Sequence, residues 1–301
     1  MKRLLKKNFG LDKNYIFKSS AKFINLTNRL KKVVSESLEN IVYQLKISDF
    51  EVQGTELQFK EGYEYPPIKI ELDNGKQIEI TGAIDRIDIA KIGDEKYVRI
   101  IDYKSSERNI RLNEFVAGLQ IQLITYLDAI TKIEDFIPAG ALYFNVREEI
   151  LDENKEISEE KLKEKIRNKF RMKGIVLADV NILKKMDTTL TKSTQSAAIP
   201  VYLGREEDIS IKKSSVASKK QFEYLQKQAG KVIKQIASEI LAGDIGLTPS
   251  YSRGKSHCSY CAYKAICGFN RSIKGNEYKY IEKASNLEML SKIEEINEQK
   301  E

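Results

Sequence analysis

The 301-residue sequence predicts an α/β fold on three observations: one long helical repeat, a block of strands of period two, and a return through helix to strand. From about Ser20 to Leu45, the apolar residues Phe23, Leu26, Leu30, Val33, Val34, Leu38, Ile41, Val42 and Leu45 recur three and four apart, which predicts a single amphipathic helix. From Phe50 to Ser106 the period falls to two. Turn signals at Glu61-Gly62, Pro66-Pro67, Asp73-Asn74-Gly75 and Gly93-Asp94 divide this stretch into four predicted strands in hairpin order. Leu112, Phe115, Val116, Leu119, Leu123, Leu127 and Ile130 then mark one helix with a buried face, followed by a strand from Ala139 to Val146. An acidic helix around Ser158 to Arg171, a polar loop over residues 188–198, a helix from Ser218 to Ala242, an irregular segment from Pro249 to Phe269 and a polar helical tail from Glu277 complete the chain.

Composition removes several classes. At 41% hydrophobic and 32% charged, with 16 Gly and 5 Pro, the chain is neither disordered nor collagen-like. It has no run of 18 apolar residues, and its charged first residues lack the apolar stretch of a secretory signal, so no membrane partner and a cytoplasmic location are expected. The net charge of +7 is unevenly placed. Residues 1–46 hold eleven Lys or Arg against three acids, a local +8, which leaves the other 255 residues at −1. A confined basic excess suits a phosphate-tracking face, and equally a solvated helix face. The Gly-Lys pairs at 75, 230 and 254 all lack a glycine five positions earlier, so the chain has no Walker A loop.

Two predicted strands carry carboxylates on apolar faces. Alternation puts Ala83, Asp85, Ile87 and Ile89 together, and Val98, Ile100, Asp102 and Lys104 together. Desolvating a carboxylate costs several kcal/mol, so a compensating cation is required, either Lys104 or a bound metal. Downstream, Gln122 and Tyr126 lie one helical turn apart on the same face, with Gln120 close by.

In this order, Gly82-Ala83-Ile84-Asp85-Arg86-Ile87-Asp88, Ile101-Asp102-Tyr103-Lys104 and Gln120-Ile121-Gln122-Leu123-Ile124-Thr125-Tyr126 resemble the RecB-type branch of the PD-(D/E)xK nucleases, and within it the AddB-type C-terminal nuclease domains. The likeness extends to Glu56-Leu57-Gln58-Phe59, Gly140-Ala141-Leu142-Tyr143-Phe144, Lys173-Gly174-Ile175-Val176-Leu177 and the cysteine stretch, nearly the whole chain. It implies a restriction-endonuclease-like mixed sheet flanked by helices, with a C-terminal cysteine subregion. It further implies that Asp85, Asp102 and the backbone carbonyl of Tyr103 hold Mg²⁺ and that Lys104 orients the attacking water. Gln122 and Tyr126 would hold DNA or brace the acids, and Glu56 would assist less directly. The implied activity is Mg-dependent cutting of the 5′-ended single strand at double-strand breaks, beside an AddA-like helicase-nuclease subunit. The expected organisation is a basic helical segment over 1–49 that is the truncated start of the nuclease domain, a nuclease core over 50–245 with a helical insertion at 147–200, an iron-sulfur cysteine region over 246–272 and a helical tail over 273–301.

Cys258-x2-Cys261-x5-Cys267 has the crowding of a metal or cluster site, with zinc and iron-sulfur both compatible. The resemblance implies a 4Fe-4S cluster whose fourth thiolate comes from a cysteine before the long helix. No such cysteine occurs here, nor the early histidine that joins the family's metal ligands; the single histidine, His257, reads as a bystander because it adjoins Cys258. The sequence therefore reads as a C-terminal piece of a longer chain. Two other readings remain open: a non-catalytic DNA-binding or assembly module with a nuclease fold, and a stand-alone RecB-like CRISPR-associated exonuclease.

Overall fold

Helix α1 (Ala21–Lys46) starts where the Ser20 side chain accepts a hydrogen bond from Phe23 N, as an N-cap serine does. The computed structural model describes residues 19–146 and 158–299; the first part of the basic segment and the start of the 147–200 insertion lie outside them. The helix matches its predicted span, but four of the nine residues of its apolar ladder do not face inward. Leu26, Leu30, Leu38 and Val42 are exposed, while Thr27, Ser37, Asn40 and Gln44 are buried. Burial of three of these polar residues is tolerated because each has a backbone carbonyl partner: Thr27 Oγ1 donates to Phe23 O, Asn40 Nδ2 to Glu36 O and Gln44 Nε2 to Phe170 O.

The period-two block forms five strands, not four: β1 (Glu51–Phe59), β2 (Ile68–Glu71), β3 (Gln77–Ile80), β4 (Gly82–Ile92) and β5 (Glu95–Lys104). The Asn74-Gly75 turn closes β2 and β3 into a separate two-stranded hairpin. The chain restarts at Gly82 because β4 must pair with β1, which the intervening hairpin lets it reach.

A six-stranded sheet runs in the order β1-β4-β5-β6-β7-β8, with β6 (Ile137–Asn145), β7 (Lys173–Leu177) and β8 (Val216–Ala217). Its β5/β6 and β7/β8 pairs are parallel and the others antiparallel, so the sheet is mixed. The parallel β5 to β6 step needs a crossover, supplied by α2 (Leu112–Val116) and α3 (Gln122–Glu134). The sequence pattern predicts these as one helix. Gly118, at φ +85°, sits in the left-handed region that ends α2, and Leu119 N returns to Glu114 O at 2.9 Å.

Residues 158–200 hold α4 (Glu159–Lys169), then β7, then α5 (Val180–Met186). The expected insertion therefore contributes a strand of the central sheet, because Ile175, Val176 and Leu177 are apolar enough to be buried on both faces. The polar loop that follows is pinned from inside: fully buried Asp187 accepts from Thr189 N and Oγ1 and from Ser196 Oγ. Helix α6 (Lys219–Leu241) opens with a Ser218/Gln221 capping box and packs on α3. The C-terminal helix α8 (Asn286–Glu298) buries Met289, Leu290 and Ile293 in the common core. Its Asn286 clamps the start of α2 by accepting from Leu112 N and donating to Ile110 O. Between α6 and α8, β9 (Ser250–Ser252), β10 (Lys255–Ser256) and β11 (Lys279–Tyr280) form a small sheet, with the short helix α7 (Lys264–Cys267) at the cysteines.

Candidate active site

The β4/β5 register ends at Arg86 opposite Ile101, so the next residues inward, Asp85 and Asp102, stand across from each other where the strands part. Having no ladder partner there, Tyr103 N donates instead to Asp85 Oδ2, at 2.8 Å. Asp102 is 5% exposed, and its carboxyl pKa is raised by burial, with Lys104 pulling it down and the Asp85 charge adding to the rise. Lys104 Nζ lies 2.6 Å from Asp102 Oδ2. That ammonium is the only side-chain cation paired with Asp102 among the described residues. A buried carboxylate beside a second carboxylate, with a single ammonium against the pair, fits a hard divalent cation that takes oxygen ligands and keeps several waters. The described residues contain no group of three or more His, Cys, Asp or Glu placed to hold a metal, so backbone carbonyl and water would complete the shell.

Three residues that the sequence pattern does not single out complete this end of the sheet. Tyr143 on β6 is the register partner of Asp102, and burial, followed by the Asp102 charge, pushes its hydroxyl up to about 12. It remains a neutral donor through the physiological range. Buried Asn145 accepts from Arg108 N at 2.8 Å and donates to Arg108 O at 3.2 Å, locking the loop after β5. Arg108 thereby joins Lys104, Gln122 and Tyr143 around a cleft of about 260 Å³. The parallel β5/β6 pairing that creates this row crosses about forty residues of sequence, which no local pattern reveals.

The helix residues separate by role. Gln122, the first residue of α3, is exposed and faces the Lys104 cleft. Tyr126, one turn on, is buried and stacks on Phe59 of β1 with ring centroids 5.6 Å apart. Its hydroxyl lies so close to Gly82 that a Cβ there would sit 2.0 Å from it, which explains a glycine three residues before Asp85. Gly82→Ala is expected to cost about 1–3 kcal/mol through overpacking, and Tyr126→Phe should recover part of that loss in a denaturant double-mutant cycle. Gln120 lies between the helices, where its Nε2 donates to Glu114 and its Oε1 accepts from Arg111 N. Glu56 occupies the β1 position across from Asp85, exposed and at φ +54°, and does not gather with the two aspartates into a three-carboxylate group.

On the opposite face of β4 and β5, Asp88 is fully buried between two guanidiniums. Arg86 grips it through Nε and Nη2, both at 2.6 Å, and reaches Tyr103 OH through Nη1. Arg99 adds a 3.0 Å bond from Nε and one from Nη2 to Ser48 Oγ, while its guanidinium lies 4.8 Å from the Phe50 ring and its Nη1 has no partner among the described residues. Burial lowers the Arg99 pKa. This triad ties together the two strands that carry Asp85 and Asp102.

Of the cysteines, Cys258 is half-buried and Cys261 and Cys267 are exposed, all as free thiols. They supply three thiolates, the chain holds no fourth cysteine, and the trio is not assembled as a common metal-holding group among the described residues. As arranged, they do not fit a closed four-thiolate cluster.

A mixed sheet with paired aspartates and a lysine at the point where two strands part is the arrangement of a nuclease-type fold. The chain belongs to the PD-(D/E)XK nuclease superfamily, whose family profile matches residues 16–268. It is similar to the B subunit of the ATP-dependent helicase/deoxyribonuclease of Clostridium kluyveri, at 40% identity over 287 residues, 93% of this chain and 25% of that protein. The proteins of the same name from a Thermoanaerobacter species, at 38% over 94% of this chain and 25% of the relative, and from Caldanaerobacter subterraneus, at 39% over 89% and 23%, are alike. The chain spans about a quarter of the length of these curated relatives. Among the described residues no helix is long and apolar enough to cross a membrane.

Proposed function

We propose that the chain is the nuclease module of an AddAB-type helicase-nuclease, hydrolysing phosphodiester bonds of single-stranded DNA during processing of double-strand breaks. The observation that carries this reading is the Asp85, Asp102 and Lys104 cluster, in which a buried Asp102 carboxylate stands beside a second carboxylate with one ammonium between it and the cleft. Asp85 and Asp102 would hold Mg²⁺, with the Tyr103 carbonyl as a third ligand. When bound, the ion would offset charge on the scissile phosphate and acidify a water. The chain's own groups do the remainder. Lys104 presents its ammonium beside Asp102, positioned to donate to a phosphate oxygen and to orient the attacking water, while Tyr143 and Arg108 supply further donors around the same cleft. Gln122 would hold the DNA backbone from the other side, and Tyr126 would brace the entry to β4.

Cutting of the 5′-ended strand, an AddA-like partner and a cytoplasmic setting are part of this reading and rest on the AddB-type resemblance; the relatives' names support a helicase/deoxyribonuclease subunit. The cysteine trio has no part in this mechanism. Release of acid-soluble nucleotides from single-stranded DNA in Mg²⁺ or Mn²⁺, absent in EDTA, is the direct test, with Asp102→Ala and Lys104→Ala as controls. Undiminished activity in both variants rejects the site.

A further inference from the structure

The Lys104 cleft is the end of a longer feature. Arg108, on its rim, also lines an adjoining cleft of about 450 Å³ with Arg111, Arg253, Lys255 and Tyr260. Arg111 and Arg253 in turn line a third cleft, of about 590 Å³, with Arg171, Lys173 and Lys213. Shared side chains set the three clefts side by side, from Lys104 past the β9/β10 turn and Tyr260 to Arg171 and Lys213. Several of their cations are already committed. Lys173 is paired with Glu107, Arg171 donates to Ser196 O and Asn168 Oδ1, and Arg111 lies 3.3 Å from Glu114. The guanidiniums of Arg108 and Arg253 have no carboxylate partner among the described residues.

Arg253 is placed there at a cost. Arg253-Gly254 is the two-residue turn joining β9 and β10, and both residues have positive φ, 53° and 79°, as a type I′ turn demands. Asparagine is the favoured residue at the first of these positions, and a long side chain held in the left-handed region costs about 1–2 kcal/mol. The hairpin is in turn anchored over the clefts. Ser252 Oγ, next to the turn, donates to buried Glu114 Oε1 at 2.9 Å, and Gln120 Nε2 donates to the same carboxylate at 2.7 Å. Tyr260, 82% exposed, stands beside Arg253 and Lys255 in the middle cleft. Arginines interleaved with an exposed aromatic ring suit a single strand, whose phosphates meet the cations and whose unpaired bases can stack; a duplex offers no free base face.

We propose that these clefts form the track along which single-stranded DNA runs to or from the catalytic centre, with Arg253 and Arg108 as its central phosphate-binding pair and Tyr260 as a base platform. This rests on the nuclease reading and adds a binding site to it. The test is fluorescence anisotropy of a labelled oligothymidylate in EDTA, where nothing is cut, across a salt series. Arg253→Asn suits the turn better than arginine and removes only the charge. Combined with Arg108→Ala, it is expected to weaken binding at least about tenfold and to flatten the salt slope by about 1.4, or 0.7 per lost phosphate contact. Lys91→Ala, an exposed position at the far end of β4, should leave both unchanged.

An unchanged affinity and slope in the double variant, with wild-type protein still binding and cutting, overturns the track while leaving the nuclease reading intact. Tighter binding of a duplex than of the single strand also overturns it, as does displacement by inorganic phosphate beyond the effect of its ionic strength. Wild-type protein that binds no single strand in EDTA likewise rejects the track, and cleavage in Mg²⁺ then decides the nuclease reading separately.

Discussion

Asp102→Asn is expected to abolish DNA cleavage, by at least about 100-fold, while making the metal-free protein more stable. Both effects come from one atom pair. The folded-state pKa of Asp102 is raised above its ordinary 3.8 by burial, so ionising it costs folding free energy. That cost is absent below the ordinary value, grows as pH rises through the folded value and is complete at neutrality. Asparagine keeps the shape and removes the charge. In EDTA at neutral pH the variant should melt a few degrees higher, at about 2–4 °C per kcal/mol for a domain of this size. At pH 3 the two proteins should converge. Added Mg²⁺ should raise the melting temperature of the wild type only, because a ligand stabilises the folded state in proportion to its binding. Scanning calorimetry at two pH values, with and without Mg²⁺, checks the three melting statements, and release of acid-soluble nucleotides checks the cleavage. A variant that melts lower than wild type at neutrality in EDTA shows that the Asp102-Lys104 pair outweighs the desolvation.

Asp88→Ala should be the most damaging single substitution to stability away from the reaction. It would leave Arg86 and Arg99 buried without an anion, and removal of one member of such a group costs about 3–5 kcal/mol, or roughly 10 °C in melting temperature. Replacing all three charges together, Arg86→Met, Asp88→Leu and Arg99→Met, should cost far less, because the apolar substitutes carry no desolvation penalty. Urea denaturation of the single and triple variants separates the two outcomes. Equal losses would mean that packing, and not charge compensation, is what the triad supplies.

How much of the molecule is legible in its sequence depends on the range of the interaction. The long helix, the Asn74-Gly75 hairpin and the Asp85 and Asp102-Lys104 strands are readable because each is written in local spacing. Four kinds of feature are not. The split of the Leu112–Ile130 pattern into two helices depends on Gly118, whose positive φ interrupts an otherwise continuous apolar stripe. The outward turn of Leu26 and Leu30 on α1 depends on which face finds hydrogen-bond partners, as Gln44 does with Phe170 from 126 residues away. Arg99 looks in sequence like an ordinary exposed strand cation; its burial depends on Asp88 across the ladder. Tyr143 and Asn145 sit in an apolar strand with nothing local to mark them, and join the site only through parallel pairing with β5.

By itself, then, the sequence determined the kinds of element, the strands on which Asp85, Asp102 and Lys104 stand, and a resemblance to one nuclease family. Period and turn chemistry are properties of neighbouring residues, so they survive without a structure. Only the tertiary structure decided that the two aspartates face each other with Lys104 against them, that a buried triad braces the strands behind them, and that Arg108, Arg111 and Arg253 line one cleft. Those depend on pairing between strands and on loop closure across tens to more than a hundred residues, where burial sets the energy of each charge.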